Sequence, residues 1–334
     1  VQDQLVFVIS PPRCGSTLLQ RMLGSHSEVL THPEPHLITP LAYLGYHDTV
    51  DAAPFDHINA AEAIRLFVSH LPDGEADYIE ALRAYANTMY GRMLHASRKS
   101  RFVDKTPAYA LVLPFLTKLY PRARYVVLTR HPLAVFSSYA NSFFHGDWER
   151  AHAYNPILER YVPALAQLLR SDHVPLVHVA YEDLVRQPAD ELSRLFAFLG
   201  LEDEPDAVNY GDHSVGESGP GDPIGVQRHS RPVTDSLMKW AGELRADTKK
   251  LDLARSMLGR IDPRDLESWG WHPDEVFGPL ETGGDEAPPK VPWNSYTLQR
   301  KLLLELRKNI HQRPHGRWIR KVRYYCDVLL RDSL

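Results

Sequence analysis

The sequence predicts an α/β protein, a parallel sheet flanked by helices, on three observations. Short continuous apolar runs at residues 5–9 (LVFVI), 125–129 (YVVLT) and 176–180 (LVHVA) have the length and β-branched content of buried strands. The first two run through turn residues into stretches of helical composition. Continuous rather than alternating apolar character marks strands covered on both faces, as in parallel sheets, where ligands gather at the carboxyl ends of the strands.

Taken in order, residues 5–9 meet Ser10, Pro11 and Pro12, and the chain resumes as helix over 17–23. Residues 60–98, rich in Ala, Leu, Met and Arg, predict helix. The strand at 125–129 leads through His131-Pro132 into a helix through Val135 and Tyr139, and residues 188–199 form another helix after the third strand. Residues 213–231 (HSVGESGPGDPIGVQRHSR) are too rich in Gly, Ser and Pro for a regular element and long for an idle connection, so a functional loop or lid is expected there. Residues 281–292 (ETGGDEAPPKVP) have linker composition. The expected organisation is a main domain at 1–280, a linker at 281–294 and a basic helical tail at 295–334. In that tail Leu302, Leu303, Leu306 and Ile310, then Trp318, Val322, Tyr325 and Leu329, trace two amphipathic helices separated by Pro314 and Gly316.

The chain has 334 residues, 43% hydrophobic and 24% charged, which is ordinary globular composition. No window approaches the ~20 apolar residues of a membrane-spanning helix, and the start VQDQLVFVIS lacks the basic flank of a secretory signal. With Cys14 and Cys326 as the only cysteines, a reducing, cytoplasmic setting is expected. The net charge of −4 divides unevenly: residues 290–334 carry eleven Lys or Arg against three acids, which leaves −12 on the rest. An anion site in the main domain must therefore be local, and no nucleic-acid partner is expected.

Such a site is visible at Pro11-Pro12-Arg13-Cys14-Gly15-Ser16-Thr17-Leu18, where a strand ends and a helix opens. Backbone N–H groups and the positive end of the helix dipole converge there. Gly15 permits close approach, Ser16 and Thr17 add hydroxyl donors, and Arg13 adds a forked permanent charge. The competing reading is a plain strand-to-helix turn. The Walker pattern is not met, since position 11 is Pro and Gly15 is followed by Ser16. Nor is a metal expected, because no H-E-x-x-H pattern or carboxylate set at ligand spacing is present.

PPRCGSTLL followed by YVVLTRHPLAVFSSY resembles the paired cofactor motifs of the sulfotransferases that use 3′-phosphoadenosine-5′-phosphosulfate (PAPS). The resemblance implies a P-loop-like sulfotransferase fold, PAPS as donor, adenosine 3′,5′-bisphosphate as product, and a hydroxyl-bearing acceptor. It also implies that the first loop, Arg13 to Leu18, binds the 5′-phosphosulfate, and that Arg130 and Ser138 bind the 3′-phosphate. Further stretches resemble the branch holding the tyrosylprotein enzymes and the sulfotransferase domains of polyketide olefin-forming systems. HSEVLTHPEPHL implies a catalytic Glu34, FVDKTPAY a Lys105 on the transferring group, VAYEDLVRQP a Tyr181 against the nucleotide, and SRPVTDSLMKW a cationic Arg231 near the 3′-phosphate. His36, His229 and Ser218 are additional candidates.

Competing assignments stay open: Glu34 as a solvated loop carboxylate, Lys105 as a partner for Asp104, and the histidines as surface groups. HPEPHLITPL and the Gly-Asp-Pro loop lean toward the polyketide type, with a hydroxyacyl group on an acyl carrier protein as acceptor and a role in secondary metabolism. A sugar, lipid or tyrosine hydroxyl is the alternative. From other classes, a phosphoryl-transfer enzyme would need a loop Lys and a strand-end Asp, whereas these strands end in Thr129-Arg130 and Ala180-Tyr181. A non-catalytic nucleotide-binding module would not need Arg13, Glu34 and Lys105 together.

Overall fold

A computed structural model describes residues 1–48, 57–212 and 229–282. Five parallel strands, β1 (Leu5–Ile9), β2 (Val29–Pro33), β3 (Arg101–Lys105), β4 (Arg124–Thr129) and β5 (Leu176–Ala180), form one sheet in the order β2-β3-β1-β4-β5. The three apolar runs are strands at the positions read from the sequence, apart from Arg124 being added to β4.

The helices are α1 (Ser16–Gly24), α2 (Thr39–Ala42), α3 (His57–Ser69), α4 (Glu75–Ser97), α5 (Leu113–Leu119), α6 (Pro132–Phe144), α7 (Trp148–Tyr154) and α8 (Ile157–Leu169). They continue with α9 (Tyr181–Arg186), α10 (Pro188–Leu199), α11 (Lys239–Ala246), α12 (Thr248–Leu258), α13 (Pro263–Trp269) and α14 (Pro279–Thr282). The single helical stretch read over 60–98 is two helices, because Leu71-Pro72-Asp73-Gly74 cannot continue a helix. No described helix is long and apolar enough to cross a membrane.

Two strands escaped the sequence reading, and both end in the site. In β2 the residues Thr31, His32 and Pro33 dilute the apolar pattern, and Pro33 is tolerated because β2 lies at a sheet edge. β3 ends in Asp104 and Lys105, two charged side chains that are nonetheless 0% and 1% exposed.

The core on one side of the sheet is aromatic: Phe7 packs on Tyr109, Tyr120 and Tyr125, and Tyr90 of α4 packs on Phe102. From β1 the chain moves to one side of the sheet, toward β2, and from β4 to the other, toward β5. The loops after β1 and β4 therefore diverge and leave a crevice at their carboxyl ends, where open α/β sheets bind ligands. The proposed linker beyond Thr282, the tail at 295–334 and most of the Gly-rich segment, including Ser218, lie outside the described residues.

Candidate active site

The two basic motifs meet in that crevice. Arg130 follows β4 and is 7% exposed; its Nη1 donates to the Arg13 carbonyl at 3.3 Å and its Nη2 to the Ser236 carbonyl at 2.9 Å. The guanidinium lies over the Tyr181 ring, 4.4 Å from its centroid, and Tyr181 Oη is 3.0 Å from Ser236 Oγ. Arg130 Nε, by contrast, is buried and has no partner among the described residues, as is Ser10 Oγ at the end of β1. A buried permanent cation with an unspent donor gains from meeting an anion beyond the nearby Glu182 carboxyl, so these residues fit an anionic ligand.

The loop after β1 bends to offer its backbone. Arg13 and Gly15 have φ of 70° and 95°, and Gly15 is the N-cap of α1. A Cβ on Gly15 would lie 2.3 Å from Tyr181 Cδ2, so the ring touches the loop where only glycine fits. The first bond of α1 is donated by the Leu19 amide to the Gly15 carbonyl, which leaves the N–H groups of the first turn without helical acceptors. Arg13 Nε donates to Ser138 Oγ at 3.3 Å, joining Arg13, Arg130 and Ser138 into one cluster.

Cys14 and Leu18 take part differently from their neighbours, because their side chains are core. Cys14 Sγ donates to the Leu128 carbonyl at 3.3 Å, and burial pushes its thiol pKa well up. Only the backbone of these two residues is available to an anion.

The turn carrying Arg130 is braced from behind. Trp269 Nε1 donates to the Arg130 carbonyl at 2.8 Å, and the His131 amide donates to Glu182 Oε1 at 2.9 Å. The His131 ring stacks on Trp240 with centroids 4.0 Å apart, and burial lowers its pKa to about 3, so it is a neutral structural group. On α6, Ser137 next to Ser138 donates to the buried Glu243 at 2.6 Å.

Across the crevice, Lys105 at the end of β3 donates to Glu34 Oε1 at 2.6 Å. Glu34 and His36 both have positive φ, 26° and 51°, and His36 Nε2 lies 3.7 Å from Glu34 Oε2. Non-glycine residues in this region are strained and concentrate at functional sites. Lys105 does not pair with Asp104. Successive strand residues face opposite sides, and Asp104 instead accepts hydroxyl protons from Tyr90, Thr106 and Tyr109 at 2.6, 2.9 and 3.0 Å.

The segment after the undescribed stretch contributes a residue that the sequence did not single out, Ser236. Arg231 and His229 are exposed, and Arg231 is tied to the fold by its carbonyl, which accepts from Tyr210 Oη at 3.1 Å. Ser236 is the residue that reaches Arg130 and Tyr181. A lone serine in a Ser/Asp/Thr-rich turn carries no pattern that could have marked it. Among the described residues no three His, Cys, Asp or Glu side chains form a metal-sized group.

Fold and site together define an α/β protein with a buried arginine beside a glycine loop at the switch of a parallel sheet, faced by a paired lysine and carboxylate. The sequence profile of the sulfotransferase family matches residues 5–205, and the chain belongs to that family. Over 219 residues it is 29% identical to nodulation protein NoeE of Sinorhizobium fredii (strain NBRC 101917 / NGR234), a match taking 59% of this chain and 50% of that one. The chain thus spans about half the length of that relative. It is 23% identical over 269 residues to protein-tyrosine sulfotransferase 1 of Danio rerio, covering 77% of this chain and 71% of the relative. Among solved structures, it is similar to the sulfotransferase domain from the curacin biosynthetic pathway, with a TM-score of 0.49 and 23% identity over 70% of this chain and 89% of that one.

Proposed function

We propose that the chain is a PAPS-dependent sulfotransferase that binds its donor in the β1–β4 crevice and delivers the sulfuryl group to a hydroxyl acceptor at Glu34. The observation that carries this reading is Arg130, a buried guanidinium stacked on Tyr181 beside the glycine loop, whose Nε has no partner among the described residues. When bound, PAPS supplies an activated sulfuryl group whose leaving group is the 5′-phosphate.

Arg130 and Ser138 hold the 3′-phosphate, where a guanidinium fork gives both charge and geometry. Arg13, the hydroxyls of Ser16 and Thr17 and the free first-turn N–H groups of α1 hold the 5′ side. Tyr181 lies against the nucleotide. Arg231 is a second cation for the 3′-phosphate, and His229 and Ser218 are further candidates on the segment before Ser236.

Lys105 stabilises the negative charge that develops as the bond breaks, as fixed donors in a water-poor site do. Glu34 is the general base. Its Oε1 is spent on Lys105, which leaves Oε2 to take the acceptor's proton and His36, close by and half exposed, to pass it to solvent. No metal is required for these steps. The acceptor favoured by the HPEPHLITPL segment is a hydroxyacyl group on an acyl carrier protein.

The test is ligand-dependent stability followed by turnover. Adenosine 3′,5′-bisphosphate at about 100 times its Kd should stabilise the fold by roughly 2.7 kcal/mol, and ADP with Mg²⁺ should not. Labelled PAPS is then offered with a carrier-bound 3-hydroxyacyl group, a tyrosine peptide and a sugar. Stabilisation by ADP with Mg²⁺ alone would reject the donor, and transfer only to the peptide or sugar would reject the carrier-bound acceptor.

A further inference from the structure

We propose that Asp104 is a positioning residue for Glu34, acting through Tyr109 as a buried hydrogen-bond relay that fixes the segment carrying the general base. The inference rests on the reading of Glu34 given above.

Residues 34–37 have no regular structure, and Ile38 caps α2. Two residues of this short stretch, Glu34 and His36, have positive φ, a conformation that local preference opposes and that the surroundings must hold. The stretch is held at both ends by consecutive residues of β3. Lys105 takes Glu34 directly at 2.6 Å. Asp104, facing the other way, takes Ile38 through Tyr109: the buried Ile38 amide donates to Tyr109 Oη at 3.2 Å, and Tyr109 Oη donates to Asp104 Oδ2 at 3.0 Å.

The direction of the relay is fixed by chemistry. An amide can only donate, so the phenol oxygen must accept from Ile38 and place its own proton on the carboxylate. Asp104, Tyr109 and Ile38 are all 0% exposed, so water cannot replace either bond. Strand pairing sets both anchors, since Asp104 pairs with His32 and Lys105 with Pro33, the two residues before Glu34.

Tyr90 provides an internal control. Its hydroxyl donates to the same Asp104 oxygen at 2.6 Å but comes from α4, away from the Glu34 segment. A merely structural role for the cluster would make Tyr90 and Tyr109 equivalent. A positioning role separates them.

The experiment measures kcat, KM for the acceptor and Kd for adenosine 3′,5′-bisphosphate in Tyr109→Phe, Tyr90→Phe, Glu34→Gln and the Tyr109→Phe/Glu34→Gln double variant. Tyr109→Phe should lower kcat about tenfold with nucleotide Kd unchanged, because small misplacements of a reacting group are costly. Tyr90→Phe should keep kcat within about twofold, and Tyr109→Phe should have no further effect once Glu34 is Gln. Equal losses from the two tyrosines, or an undiminished loss in the Glu34→Gln background, would overturn the relay while leaving Glu34 as the base. Full turnover by Glu34→Gln alone would overturn the base assignment, and the relay with it. If Tyr109→Phe does not fold, Asp104→Asn, which keeps the shape but replaces an acceptor oxygen with a donor, carries the same expectation, and wild-type kcat there would overturn the proposal.

Discussion

The two sides of the crevice hold their charges in opposite ways. On the β1–β4 side, Arg130 is buried with one donor that has no partner among the described residues, and its other hydrogen bonds go to carbonyls. On the β2–β3 side, Lys105 is buried but already paired, with Glu34 at 2.6 Å. The first side is built to gain from binding an anion. The second is balanced before anything binds, and a ligand there must compete with or rearrange an existing ion pair. Binding and chemistry should therefore separate between the two sides, and substitutions can test how cleanly.

The largest effect is expected from Glu34→Gln, which should lower turnover by ~10²–10⁴-fold while leaving the affinity for adenosine 3′,5′-bisphosphate nearly intact. A parallel loss of nucleotide affinity, measured by titration calorimetry, would mean that the two sides act as one. Arg130→Ala should do the converse. Losing a charge-assisted contact of about 1.5–3 kcal/mol should weaken the bisphosphate by roughly tenfold or more, and adenosine 5′-monophosphate, without the 3′-phosphate, much less. Equal losses for both ligands would place Arg130 elsewhere on the nucleotide.

Gly15→Ala sharpens the comparison on the binding side alone. Its new Cβ would meet the Tyr181 ring at 2.3 Å in a backbone at φ 95°, and moving the ring disturbs its stacking under Arg130. A stability loss of about 1–3 kcal/mol is expected from the strain, with weaker nucleotide binding and an unchanged Glu34–Lys105 pair. A variant with wild-type melting temperature and affinity would show that Tyr181 does not need its place against the loop.

The smallest expected effect is a pH dependence on the chemistry side. Burial raises the Asp104 pKa from 3.8 to about 6, partly offset by its three hydroxyl donors. For an acid whose folded pKa is raised, the native state holds the extra proton between those values. Its stabilising contribution is present below about pH 4 and is lost as pH rises through about 6. Asp104→Asn should flatten that part of the stability profile in chemical unfolding from pH 4 to 7. An unchanged slope would assign it to other groups.

The β1–β4 side was largely legible in the sequence as local structure and the β2–β3 side was not. Arg13, Gly15 and Arg130 lie in the loops after continuous apolar strands and Ser138 in the helix that follows one, where turn residues and helix starts give local signals. The strand leading to Glu34 and the one bearing Lys105 were missed as strands because their site-facing ends break the apolar pattern: Thr31, His32 and Pro33 in one, Asp104 and Lys105 in the other. A sequence pattern registers apolar burial and has no means to register a buried charge whose partner lies far along the chain.

By itself, then, the sequence determined the parallel α/β class, three strands, the helix at 188–199 and the strand-to-helix loop at Gly15, because each depends on residues within one or two turns or strands of one another. Only the tertiary structure decided that Lys105 pairs with Glu34 rather than Asp104, that Ser236 meets Arg130, and that Tyr109 links Asp104 to the Ile38 amide. The Lys105–Glu34 and Tyr109–Ile38 bonds join residues 71 positions apart and the Arg130–Ser236 bond residues 106 apart. They follow from strand register and from the alternation of side chains across the sheet, which no local stretch of sequence specifies.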